Sequence, residues 1–296
     1  MRIPFGVGFL GWDGRFLWAV GGPFGEGRRQ WLVRIDPRSR TAKRAALVGI
    51  LANGLAVGRD AVWVANGSGR GAAYSQSERG PGFPQENSLQ RVGLGPRASS
   101  RYLPMDYPEA VAADHGVWAV RLTAEGLELV RVDAPGRPRV VAELAANPPA
   151  FLAFGDRRLW MATPVWESGD GLLTSFDLAT GAVRTQARLP KMVPSGLAVG
   201  LGGVWVVGSW GVLRADPATG RPSGPVVPIL SCAVAVGGGF LWIADGLGRV
   251  YQLDPANGTV VGQASGVGRN RCALAYTEDG LWVADARGVT LVASGR

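Results

Sequence analysis

Three carboxylates and two asparagines are the residues of this chain best suited to hold an ion. Glu109, Asp245 and Asp285, with Asn53 or Asn66, offer the hard oxygen ligands that calcium and magnesium favour. A cation held there would make a metal-dependent hydrolase or lyase that uses channel carboxylates, and this is the catalytic alternative. Imidazole chemistry is restricted, because His115 is the single histidine. Cys232 and Cys272 are the two cysteines, too few for a disulfide-rich scaffold or a metal cluster. With no histidine near either to activate it, neither is expected to be a nucleophile; both thiols are expected to stay buried and free, the alternative being a disulfide between these equivalent positions of adjacent units. No residue is assigned a catalytic role, and no cofactor is expected beyond that alternative calcium or magnesium.

A second set of side chains suits recognition. Tyr74, Trp166 and Trp210 bring flat apolar area, and Arg121 and Glu109 bring charged hydrogen-bonding groups. Together they would fit a protein, peptide, carbohydrate or small molecule. The leading expectation is therefore a non-catalytic binding or scaffold protein whose ligand-binding residues are Asn53, Tyr74, Glu109, Arg121, Trp166, Trp210, Asp245 and Asp285.

A repeat must position both sets. An apolar strand, a Gly or Asp bend and a second strand bearing a Trp recur around Trp18, Trp63, Trp118, Trp160, Trp205, Trp242 and Trp282, with steps of 45, 55, 42, 45, 37 and 40 residues. The regularity indicates an array of similar units. Leu197 to Trp205, Val234 to Trp242 and Leu274 to Trp282 are the clearest copies, and Asp216 to Gly220 and Asp254 to Gly258 occupy the same turn in two of them. Asp accepts local backbone hydrogen bonds there, Pro fixes φ, and Gly accepts a left-handed conformation.

The pattern predicts an all-β, seven-bladed β-propeller of four-stranded antiparallel blades in one domain, 1–296. Blades are expected near 8–50, 51–106, 107–147, 148–192, 193–230, 231–268 and 269–296, the last completed by residues 2–6 as the strand that closes the ring. Pro225 to Leu230 should be the outer strand of blade five. The third strand of blade two is delayed to about Ser88 by a long Gly- and Pro-rich insertion, of a length usual for a functional loop or a disordered one. Each blade's inner strand should start on the face that carries its second-to-third loop. That face gathers the candidate residues, whereas His115 belongs to the opposite one. Seven equivalent tryptophans are expected to fill the spaces between blades rather than meet ligands.

These repeats resemble those of seven-bladed propellers of the streptogramin-lyase-like and YVTN or NHL-like group. Ser195 to Val207 with Asp216 to Gly220 carries the resemblance best, followed by Val234 to Asp245 with Asp254 to Gly258. The resemblance implies the fold across the whole chain. For a lyase it also implies histidine and glutamate from the last blades with a divalent cation, yet blades six and seven hold no histidine. Lyase chemistry is accordingly not carried over.

Composition narrows the partners further. The formal charge of +8 rests on arginines spread through the repeats rather than on a dense tract, so nucleic acid is not an expected partner. Gly-x-Gly matches fall in turns and precede no helix of an α/β unit, which argues against nucleotide binding. No apolar run is long enough to cross a bilayer, and the amino-terminal sequence does not read as an export signal. A cytoplasmic monomer is the expectation.

Overall fold

The computed structural model describes residues 7–22, 30–49, 52–67, 87–95, 99–133, 137–269 and 273–292. The fold is an all-β, seven-bladed β-propeller with mostly four-stranded antiparallel blades. Two compact units contain them: residues 9–144 hold blades one to three except for Val7 and Gly8 at the start of blade one, which group with residues 145–296 and blades four to seven.

In the first unit, blade one is β1 (Val7–Trp12), β2 (Leu17–Gly21), β3 (Gln30–Asp36) and β4 (Thr41–Val48). Blade two is β5 (Ala52–Val57), β6 (Ala61–Asn66), β7 (Ser88–Gly93) and β8 (Ser100–Pro104). Blade three is β9 (Pro108–Asp114), β10 (Gly116–Leu122), β11 (Leu127–Asp133) and β12 (Arg137–Leu144). The late start of β7 matches the delayed third strand, but the insertion before it lies largely outside the described residues.

In the second unit, blade four is β13 (Phe151–Gly155), β14 (Arg158–Val165), β15 (Asp170–Asp177) and β16 (Val183–Leu189). Blade five has β17 (Pro194–Gly200), β18 (Gly203–Gly208) and β19 (Gly211–Ala215). Blade six is β20 (Ala233–Gly237), β21 (Phe240–Ala244), β22 (Leu247–Leu253) and β23 (Val260–Arg269), and blade seven has β24 (Ala273–Thr277), β25 (Gly280–Asp285) and β26 (Gly288–Val292).

Blade five departs from expectation. Its fourth strand is reduced to isolated bridges, Val212 with Val227 and Ala215 with Pro222. Pro222, Pro225 and Pro228 explain this, since each removes a backbone N–H from the ladder. Residues 2–6, expected to complete blade seven, lie outside the described residues.

The second strand of each blade reads as a near-continuous apolar run because both its faces are covered. Every residue of β6, β18 and β25 is buried. Blade packing within each unit is built on the repeated tryptophans. Trp18 joins Val20 and Leu32 of blade one to Val62, Val64 and Val92 of blade two. Trp63 packs with Ala113, Ala119 and Val130 of blade three, Trp160 with Val204 and Val206 of blade five, and Trp205 with Leu241 and Ile243 of blade six. Trp242 stacks on Tyr276 of blade seven at 6.1 Å between ring centroids and 23° between planes. Gly237 makes this possible, because a Cβ there would stand 2.1 Å from the Tyr276 ring.

The third-to-fourth turns follow from their sequence. Asp216 Oδ1 accepts hydrogen bonds from the N–H groups of Ala218 and Thr219, and Asp177 Oδ1 does the same for Ala179 and Thr180. These bonds favour the ionised carboxyl. Asp216 is held below the ordinary aspartate value, chiefly by the Thr219 N–H; for Asp177 the leading cause is the Arg184 side chain, followed by the Thr180 N–H.

Candidate functional site

The residues that sequence reasoning singled out fall in two separate units. Asn53, Glu109 and Arg121 belong to the unit 9–144. Asn53 Nδ2 donates to the Pro108 carbonyl at 2.9 Å, tying β5 to the first residue of β9, and Glu109 follows on β9. Arg121 on β10 faces Glu128 across the β10–β11 pair, and its Nε lies 2.5 Å from Glu128 Oε2. Asn66 is fully committed: its Oδ1 accepts the Gly49 N–H and its Nδ2 donates to Gln90 Oε1. Tyr74 lies outside the described residues.

Trp166, Trp210, Asp245 and Asp285 belong to the other unit. Asp245 is only 7% exposed and is encircled by donors. Its Oδ1 accepts from the N–H groups of Leu247 and Arg249, at 2.8 and 2.9 Å. Its Oδ2 accepts from Arg249 Nε and the Tyr251 hydroxyl. Burial pushes its pKa up, but the Arg249 and Leu247 N–H groups and the Arg249 charge outweigh burial and hold it below the ordinary aspartate value. Asp285 is likewise surrounded by donors, accepting the N–H groups of Gly268, Arg269 and Arg287. Both carboxylates thus fix the turns beside them. Among the described residues no three His, Cys, Asp or Glu side chains gather where they could hold a metal ion.

The expectation of two free thiols does not hold for Cys232, which is disulfide-bonded. Cys272 is the only other cysteine in the sequence and lies outside the described residues. The physical reason is the repeat itself. Equivalent positions precede β20 and β24, and those strands are packing neighbours.

Because Asp245 has a depressed folded-state pKa, it contributes stability above its unfolded-state value, and that contribution is lost as pH falls through the folded value. Asp245→Asn keeps one acceptor oxygen but loses the charge that binds Arg249. It is expected to cost about 2 kcal/mol at neutral pH and to flatten the acid limb of the stability curve. Urea titrations of both proteins between neutral and acidic pH check this.

The two tryptophans stand in a different environment. Trp166 occupies the β14–β15 turn and is 55% exposed, its Nε1 donating to the Pro148 carbonyl at 3.1 Å; Trp210 occupies the β18–β19 turn and is 66% exposed. Leu230, 59% exposed, precedes β20, and Leu247, 65% exposed, begins β22. Strand direction puts all four at the same edge of blades four, five and six, where second strands end and first strands begin. Strands β13, β17 and β20 pack in sequence, so the three blades are successive neighbours. Four large apolar side chains therefore stand in water along one rim.

Within the unit 9–144, the edge that carries the first-to-second turns holds a cavity that the sequence did not disclose. It measures about 500 Å³ and opens between blades two and three, lined by Trp63, Leu103, Val117, Arg91, Arg101 and Arg131 among others. An adjoining lobe of similar size is bordered by Gly58, Arg59 and His115. His115 indeed lies between β9 and β10, away from the second-to-third loops of its blade, with Nε2 3.5 Å from Asp114 Oδ2. A signal for the cavity did exist, since Arg34, Arg91, Arg131 and Arg214 all pair with the repeated Trp on the third strand. Read residue by residue they look scattered.

No protein-family model matches the chain, and no curated protein does. Solved structures match along its whole length. A catalytically inactive virginiamycin B lyase from Staphylococcus aureus with Quinupristin is 14% identical, covering 99% of this chain and 98% of that one, with a TM-score of 0.71. A streptogramin B lyase is 16% identical over 97% of this chain and 91% of that one, at TM-score 0.66. Kuenenia stuttgartiensis hydrazine synthase is 12% identical over 100% and 97%, also at 0.66. At these identities the likeness is one of fold: a seven-bladed propeller resembling the streptogramin and virginiamycin lyases. Among the described residues no helix is long and apolar enough to cross a membrane.

Proposed function

We propose that this propeller is a non-catalytic recognition module that binds a protein or peptide along the second-to-third loop edge of blades four to six. The exposure of Trp166 and Trp210 carries the reading. A tryptophan left more than half in water forfeits much of the gain from burying its ring, and several large apolar side chains left in water along one edge mark an interaction surface. Trp is also the residue type most enriched among the few side chains that dominate binding energies. Leu230 and Leu247 extend the rim with aliphatic area, which suits apolar side chains of a polypeptide better than the hydroxyl-rich faces of a sugar. Asp245 serves this surface indirectly by fixing the turn from which Leu247 projects.

Selection of peptides from a random displayed library on the full chain, with counter-selection on the Trp166→Ala/Trp210→Ala double variant, tests the reading. Peptides enriched in apolar residues that bind the parent and not the double variant are expected. Selected peptides that bind both equally would place recognition elsewhere, and oligosaccharide binding lost in the double variant would replace a polypeptide with a carbohydrate partner.

A further inference from the structure

We infer that the cavity between blades two and three is a second, independent site that binds a small organic carboxylate with a flat apolar body. Its hydrogen-bonding capacity is one-sided. Two carboxylates border it, and both are engaged: Asp60 by Arg91, and Asp133 by Arg131 and Arg139. Arg101 stands directly across from Arg91 in the β7–β8 ladder and has no carboxylate partner among the described residues. Like charges opposite one another weaken a strand pair, so Arg91 and Arg101 sit together at a cost that an anion between them would offset. Three guanidinium groups, those of Arg91, Arg101 and Arg131, line this lobe against two carboxylates, which leaves one positive charge over.

Trp63 supplies the independent observation. In blades one, five, six and seven the indole N–H donates to the residue five positions earlier: Trp18 to Asp13, Trp205 to Gly200, Trp242 to Gly237 and Trp282 to Thr277, at 2.7 to 3.1 Å. In blade two that residue is Gly58, and the bond is not made. Trp63 is 6% exposed, lines both lobes, and its Nε1 has no acceptor among the described residues. Trp118 and Trp160 also lack an acceptor, but their side chains are fully enclosed. Unlike those two, the Trp63 N–H is not sealed off from solvent, so at the cavity wall a ligand oxygen can accept its hydrogen bond.

The comparable groove between blades four and five is used differently. At the positions of Arg91 and Arg101 it has Ser175 and Thr185, whose hydroxyls hydrogen-bond each other at 2.6 Å. The turn of blade five closes over it, with a Cβ at Gly220 falling 3.3 Å from Thr185 Oγ1 and 3.5 Å from the Trp160 ring. Among the described residues, blades two and three combine open volume, an apolar wall of Leu103, Val117 and Val132, and a donor in excess; the blade-three turn that corresponds to the one at Gly220 lies outside the described residues. About 500 Å³ lies within the range of roughly 300 to 1,000 Å³ typical of small-ligand pockets. A carboxylate paired with Arg101, its ring along the Trp63 wall, uses each of these features.

Titration of the full chain, labelled with nitrogen-15, with 2-naphthoate and separately with 2-naphthamide tests the inference. The Trp63 indole N–H resonance, identified by its loss in Trp63→Phe, should shift saturably with naphthoate, and calorimetry should find the amide weaker by about tenfold or more because it lacks the charge. Arg101→Gln, an exposed substitution that leaves the wall intact, should weaken naphthoate by a similar factor. The Trp166→Ala/Trp210→Ala variant should bind it unchanged, which separates this site from the loop rim. A Trp63 resonance unmoved by millimolar naphthoate, equal affinity for acid and amide, or an Arg101→Gln variant that binds as well as the parent each overturns the inference.

Discussion

Trp18→Ala is expected to destabilise the protein by about 3 to 5 kcal/mol, the range for removing a large aromatic side chain from a core that cannot collapse around the gap. Trp18 is fully buried in the seam between blades one and two, against Val62 and Val64, and its indole N–H is spent on Asp13 Oδ2 at 2.7 Å. Facing strands are held at fixed spacing by their own ladders, so neither blade can move inward without breaking register. Trp18→Phe keeps most of the ring and loses the hydrogen bond, and should cost roughly half as much. Asp13 would retain the N–H groups of Arg15 and Phe16 in that variant, so its turn should persist. Urea denaturation compares the three proteins. An alanine variant within about 1 kcal/mol of the parent would mean that the repeated Trp is not what holds neighbouring blades together.

The Trp166→Ala/Trp210→Ala double variant should show the reverse profile: near-parental stability and a large loss of binding. Both side chains are mainly in water, so truncation removes little buried area, and among the described residues the specific interaction it breaks is the hydrogen bond from Trp166 to the Pro148 carbonyl. The stability change should stay within about 1 kcal/mol. If both rings anchor the same peptide, each is worth about 2 kcal/mol as a dominant anchor, and truncating both would weaken binding on the order of a thousandfold. Calorimetric titration of a selected peptide against parent, single and double variants checks the magnitude, while thermal melts of the same samples check that the fold is intact. A large drop in melting temperature would show that these rings pack rather than recognise.

The sequence by itself determined most of the strands, the turns and the burial of the seven repeated tryptophans, because each is set by interactions within one repeat or between neighbouring repeats. Trp205, Gly200 and the Asp216 to Gly220 turn follow from a local pattern copied along the chain, and the delayed β7 follows from where that pattern resumes. The outer edge of blade five also had its cause in plain view, as three prolines that cannot serve a ladder. What the tertiary structure alone decided is which polar groups remain unspent. Asp245 and Asp285 look like free ligands in the sequence, yet folding surrounds both with backbone N–H groups. Arg91, Arg101 and Trp63 look like ordinary repeat positions, yet folding sets beside open volume a guanidinium and an indole N–H that find no acceptor side chain among the described residues. A hydrogen bond made or left unmade depends on distances between strands far apart in the chain, and periodicity carries no record of those distances.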